Sequence, residues 1–183
     1  MSRIDHVLIA PGAPGGDRLL CYGAASAGAA LALHQALRAD LPWRAVVVVT
    51  IIALDLYGGA VVNATAAAKR TYHAPGRTAR HHLIFVGIHV QPFLMAWFVP
   101  AFTWDAALTI YLIAWGGAAA LQFAPPGVRR PAAFAIAVLG LTLVTVPQAV
   151  AWFTPVLLIK LLLSYLQPAE AASAHRTACG APP

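Results

Sequence analysis

Charge is what this sequence has least of. Only 10% of its 183 residues are charged, and six of them are acids. Soluble domains carry about 25% charged residues, so a water-facing surface of ordinary composition is excluded. The few charges gather between long uncharged runs, and 60% of the residues are hydrophobic. That is the pattern of a multi-pass membrane protein. No stretch is polar enough for a separate soluble domain, so the chain reads as one helical unit. The net charge of +6 has no folded basic surface to carry it. It reads as an orientation signal in loops and tail, and no nucleic-acid partner is expected.

Other features are scarce as well. Two cysteines, Cys21 and Cys179, lie near opposite ends without CxxC spacing. That excludes a disulfide framework, and Cys21 reads as a small buried helix residue. The first eighteen residues lack the order of a secretory signal: Pro11, Pro14 and the Gly15-Gly16 pair stand where an apolar core would be. There is no internal repeat, which argues against an alternating-access carrier built from one copy. The histidines include a His81-His82 pair but no HxxHH box. His82 and His89 share a helix face about 10 Å apart, too far for one metal. A heme held by His34 and His89 would join residues at different depths. No metal and no cofactor are expected.

Long apolar runs are what the chain has in abundance. The first expected span covers 19–37, where Ala24, Gly28 and Ala32 form a ridge of small residues suited to close helix packing. Pro42 and Trp43 then break and anchor the chain. The second span covers 45–68. The third covers 82–99, where Pro92 lacks an N–H and frees the Ile88 carbonyl, so a kink is expected beside His89. The fourth covers 105–123, with Asp105 as an N-terminal cap. The stretch 131–166 would measure about 54 Å as one helix, against a hydrocarbon core of about 30 Å. Pro147 and Pro155 mark its expected break. This gives a fifth span over 131–152 and a second piece over 155–166. Lys160, Ser164 and Gln167 share one face of that piece, which suits an interfacial helix; a short or re-entrant sixth span is the alternative. The expected fold is thus an all-α polytopic bundle of about five transmembrane helices plus a Pro-broken C-terminal segment. The helical domain covers 19–167. An interfacial segment, 1–18, precedes it, and a disordered tail, 168–183, follows.

The loop 69–82 holds Lys69, Arg70, Arg77 and Arg80 with no acid, and the loop 124–131 holds Arg129 and Arg130. The positive-inside rule puts both loops and the N-terminus in the cytoplasm, in a cell membrane. The four basic residues of the first loop could also contact an anionic head group or pyrophosphate.

The polar residues inside the spans point to function. Asp55 falls near the middle of the second span, where a carboxylate costs roughly 2.5–3.5 kcal/mol. Gly59 and Asn63 follow at four-residue spacing on the same face. This makes a groove about 12 Å long, polar at both ends with a glycine floor. Gly58-Gly59 suits either close helix contact or a cavity. His89 lies near the middle of the antiparallel third span, so Asp55 and His89 can meet and exchange a proton. Tyr57, Gly59, Asn63, Gln91, Trp97, Tyr111 and Trp115 are the expected substrate contacts. The aromatic residues among them would wall a pocket or form an interfacial belt. The function expected is a small integral-membrane enzyme, an isomerase, cyclase or hydrolase, acting on a lipophilic substrate by acid/base chemistry. Asp55 and His89 would be its catalytic pair. The alternatives are a proton-linked carrier or channel for a small solute and a non-catalytic membrane subunit. Membrane lipids, the lipophilic substrate and a possible homo-oligomer are the partners implied.

Overall fold

The computed structural model describes residues 10–168, and every regular element among them is helical. The stretches 1–9 and 169–183, which hold half of the expected N-terminal segment and nearly all of the tail, lie outside the described residues.

Helix α1 (Gly15–Arg38) begins four residues before the expected start, behind Pro14 and with Asp17 in its first turn. Arg18 donates from Nε and Nη2 to the Ala13 carbonyl at 3.2 and 3.1 Å, tying the leading strip to the helix. Pro42 stands at the N-terminus of α2 (Trp43–Ala64). The apolar run does not continue to Ala68 as one helix. Thr65 turns extended, and its Oγ1 accepts from Ala68 N at 3.2 Å, so it caps a new short helix, α3 (Ala66–Tyr72). A turn at Pro75-Gly76, where Gly76 takes φ +91°, leads onward.

The third expected span is two helices, α4 (Ala79–Gly87) and α5 (Gln91–Phe98). Pro92 occupies the first turn of α5, and the Ile88 carbonyl it frees accepts from Val90 N at 2.9 Å. The expected kink is therefore a complete break at 88–90, with His89 inside it. Helix α6 (Trp104–Phe123) follows, capped by Thr103 Oγ1 on Ala106 N at 3.2 Å, with Asp105 in the first turn rather than at the cap. Helix α7 (Pro126–Leu143) starts behind Pro125.

The chain is extended at 144–147, then makes a 3₁₀ turn (Gln148–Val150), helix α8 (Phe153–Leu158) and a π-helix (Ile159–Tyr165). The break expected at Pro147 is there. The one expected at Pro155 is not, because Pro155 sits in the first turn of α8, where its missing N–H has no helical partner to lose. Residues 148–165 thus run through the bundle, and the interfacial reading of 155–166 is corrected. Of the 18-residue window Gln148–Tyr165, 56% is buried, against 39% for Trp43–Ala64 and 33% for Trp104–Phe123. Its sequence explains this: Phe153 to Leu162 is apolar almost all round, the signature of a central helix.

By length and apolarity, three helices among the described residues can cross a bilayer: Trp43–Ala64, Trp104–Phe123 and Gln148–Tyr165. The expected count of five is not reproduced on that criterion. Ala, Gly, His34 and Gln35 dilute α1, Arg129 and Arg130 open α7, and the third expected span is two short pieces. Helices α2, α6 and α7 pack on the π-helix, and α1 packs along α2. Leu56, Met95, Ile110, Leu121, Phe153, Leu157 and Leu161 fill the centre. Leu19, Leu31, Ile51, Trp97, Phe123 and Leu139 point outward, as lipid-facing residues would.

Candidate functional site

Close packing of α1 on α2 starts from small residues. A Cβ on Gly28 would lie 2.2 Å from Tyr57 Cγ, and one on Gly58 would lie 2.9 Å from the Ala25 Cβ. Gly58 therefore serves helix contact. Gly59, one residue on, serves a different purpose. A Cβ there would lie 2.6 Å from Lys160 Cε and 2.8 Å from Nζ. The glycine leaves the space in which the Lys160 side chain lies against α2.

Lys160 is the partner of Asp55. Its Nζ donates to Asp55 Oδ2 at 2.7 Å and, more weakly, to the Asp55 carbonyl at 3.4 Å. The two side chains differ sharply in exposure, 5% for Lys160 and 50% for Asp55. The ammonium is enclosed and the carboxylate is what the surroundings meet. Gln91 donates from Nε2 to the same Oδ2 at 3.2 Å. Asn63 Nδ2 reaches the Lys160 carbonyl at 3.5 Å, on the far side of the pair. Lys160 belongs to the π-helix, and such segments are frequent at functional sites.

These groups form one wall of a cavity of about 590 Å³, within the range of small-molecule pockets. Cys21, Tyr22 and Ala25 come from α1, and Leu54, Asp55, Gly58, Gly59, Val62 and Asn63 from α2. Tyr72, Phe85, Ile88, His89, Gln91 and Lys160 complete the lining. Tyr22, Leu54 and Ile88 are exposed on the flank of the bundle, so the cavity opens sideways between α1–α2 and the 88–90 break.

His89 and Asp55 share this cavity, as the sequence suggested. The direct partner of Asp55 is nevertheless Lys160. His89 Nδ1 faces the Phe85 carbonyl at 2.7 Å. A carbonyl only accepts, so Nδ1 carries the hydrogen, and in the neutral ring Nε2 is left as an acceptor.

Of the other expected contacts, Gly59, Asn63 and Gln91 line the cavity and four residues do not. Tyr57 packs on Gly28 and Trp152, with ring centroids 5.6 Å apart in the latter pair. Tyr111 donates to the Gly87 carbonyl at 3.0 Å, and Trp115 lies beside Gly87. Trp97 is 73% exposed and meets Trp104 edge-on at 6.1 Å.

The basic loop divides. Arg70, Arg77 and Arg80 are exposed. Lys69 turns inward and donates to the Ser164 carbonyl at 2.9 Å and to the Gln167 carbonyl. It thereby caps the C-terminal end of the π-helix, where a cation is favoured. His73 Nε2 donates to the Tyr165 carbonyl at 2.9 Å, and His82 Nδ1 lies 3.1 Å from the Tyr165 hydroxyl. Burial pushes the His73 ring down from the usual 6.5. The bond to the Tyr165 carbonyl opposes that, and the charges of Lys69 and Arg129 add to it.

Polar contacts thus fall in two groups along α2, α3 and the π-helix: Asp55, Lys160 and Asn63 first, then Lys69 and His73 on the carbonyls of Ser164, Tyr165 and Gln167 at the helix end. In the other direction α2 offers Val47, Val48, Val49, Ile51 and Ile52. Thr50 there bonds its own Val46 carbonyl at 2.7 Å. Trp152 Nε1 and Thr154 Oγ1 are buried without partners and join no chain. Among the described residues no three His, Cys, Asp or Glu side chains gather as a metal site.

Sequence reasoning missed Lys160, which the cavity needs most. Its signal was available: a lysine inside an apolar stretch is costly at membrane depth and calls for a carboxylate partner. No protein-family model, no curated protein and no solved structure matches this chain.

Proposed function

We propose that this protein is a small integral-membrane enzyme that acts on a lipophilic substrate by acid/base chemistry. One observation carries the reading: a cavity with mostly apolar walls, open on the flank of the bundle, has a single polar wall built by Asp55, Lys160, Gln91 and His89. A lipophile can enter sideways from the bilayer and meet that wall. Asp55, paired with an ammonium, acts as proton acceptor, and Lys160 as the donor that returns the proton. His89 Nε2 is a second acceptor beside them. Isomerisation, cyclisation and hydrolysis all need such an acceptor and donor placed together.

The polar contacts favour this over a solute path. They leave Asp55 toward one end of the bundle, and the other direction is apolar. A carrier or channel needs polar access from both sides. The orientation follows the basic loops: N-terminus, 69–82 and 124–131 in the cytoplasm. With 148–165 crossing as well, the chain would have six passes in a cell membrane.

The test compares membranes of a host expressing the wild type, Asp55→Asn and His89→Phe at matched levels. Lipid extracts are analysed by mass spectrometry. The expected result is a precursor–product pair whose ratio shifts with the wild type and stays at the host value with Asp55→Asn. Unchanged extracts, together with Asp55-dependent solute or proton flux in proteoliposomes, would replace this reading with the carrier.

A further inference from the structure

The polar wall beside the ion pair presents acceptors to the cavity, and Tyr72, which carries a hydroxyl, lines it as well. Lys160, the enclosed donor, is already directed at Asp55, through its side chain at 2.7 Å and its carbonyl at 3.4 Å. The Gln91 amide donates to Asp55 Oδ2, and that fixes its orientation, since the reverse would set two acceptors against each other. Its Oε1 is then left buried and without a partner. His89 has its one hydrogen on Nδ1, engaged by the Phe85 carbonyl, so Nε2 is an acceptor. Asp55 presents its carboxylate half exposed. Two acceptors therefore face the cavity from one wall, the Asp55 carboxylate and His89 Nε2, while Gln91 Oε1 is wholly enclosed behind them. A buried acceptor without a donor is costly, so a fitting ligand supplies donors.

We infer that the ligand of this cavity is a neutral lipophilic alcohol, whose hydroxyl donates to the Asp55 carboxylate or His89 Nε2 while its tail lies along Leu54, Ile88 and Val62. The inference rests on the proposed enzyme reading and names its substrate class. A carboxylate ligand would bring a second anion against the half-exposed Asp55. An ether or ketone offers no donor and leaves both acceptors unsatisfied. An alkylammonium supplies donors, but it competes with Lys160 for the same carboxylate and adds a charge to a pair that is already neutral. A hydroxyl costs least to desolvate and matches the wall.

The test is direct binding to the full-length protein in nanodiscs of phosphatidylcholine. The probe is tritiated dodecanol. Its competitors are dodecyl methyl ether, dodecanoate and dodecylamine, which share the chain and differ only in the head. The alcohol should bind saturably and the ether about tenfold or more weaker, the size expected for one hydrogen bond to a charged acceptor. His89→Phe, which removes an acceptor and makes no hydrogen bond to either member of the ion pair, should weaken the alcohol several-fold and leave the ether unchanged. Equal binding of alcohol and ether, or preference for dodecanoate or dodecylamine, overturns the alcohol assignment while the lipophile pocket stands. If none of the four binds saturably, the pocket reading falls with it.

Discussion

Alanine at position 59 should be harmful only while Lys160 is present. In an ordinary helix interior Gly→Ala gains about 1 kcal/mol. Here the new Cβ would lie 2.6 Å from Lys160 Cε. Carbon atoms rest at about 3.5–4.0 Å, so the lysine end has to move by roughly 1 Å. Its ion pair stands at 2.7 Å. A shift of that size takes it beyond hydrogen-bonding range and gives up about 1.5–3 kcal/mol for a charged hydrogen bond, with overpacking in addition. Set against the helix gain of about 1 kcal/mol, Gly59→Ala should destabilise the protein by about 0.5–2 kcal/mol before the overpacking is added. In a Lys160→Ala background the obstacle is gone, and the same substitution should stabilise by about 0.5–1 kcal/mol. The measurement is a four-protein cycle of reversible unfolding in mixed micelles, followed by circular dichroism. Gly116→Ala serves as control, since nothing lies within 4 Å of its Cβ position. If Gly59→Ala has the same sign and size in both backgrounds, Lys160 does not rest on Gly59 and the account of the ion pair is wrong.

Two further outcomes follow. Burial holds the His73 ring below its usual pKa of 6.5, so the unfolded chain binds the extra proton first. Stability should be level above pH 6.5 and decline as pH falls below it, and melting temperatures between pH 8 and 5 should show a shallower decline in His73→Gln. With Cys21 and Cys179 replaced by serine, a cysteine at Gly76 should react with an impermeant maleimide only from the cytoplasmic side and one at Ala39 only from outside; the opposite pattern inverts the topology.

The helical, apolar character was legible because hydropathy responds to composition over many residues. Breaks were legible where one residue dictates backbone chemistry: Pro92 frees a carbonyl, and the helix stops beside it. Pro155 misled, because proline ends a helix only when its N–H would have been used, and position within the turn is not visible in the sequence. Thr65 ended α2 early through a side-chain cap that hydropathy ignores. Asp55, Gly59, Asn63, Gln91 and His89 were found from depth and spacing, and the cavity gathers all five. Lys160 was lost because the last apolar stretch was laid on the membrane surface, which removed the need to find its partner. Tyr111 and Trp115 were drawn in by residue type alone, and type does not say which face of α6 they occupy.

The asymmetry of the Asp55–Lys160 pair bears on whether it serves packing or chemistry. A pair that only locks helices together gains from being wholly enclosed, where its Coulomb energy is largest and no water or lipid competes. Even then, apolar residues of similar volume often do as well or better, because desolvating both charges is expensive. Here the lysine is enclosed and the carboxylate is half open to a cavity. That arrangement keeps the desolvation cost of the ammonium while weakening the attraction that offsets it. The glycine that makes room for the lysine adds about 1 kcal/mol of lost helix propensity. A packing device would shed these costs through Asp55→Leu with Lys160→Met, and the double variant would be as stable as the wild type. Stability retained with every lipid change lost is the result that assigns the pair to chemistry. Stability and lipid profile both retained would remove the pair from catalysis and leave it a packing device that apolar residues replace.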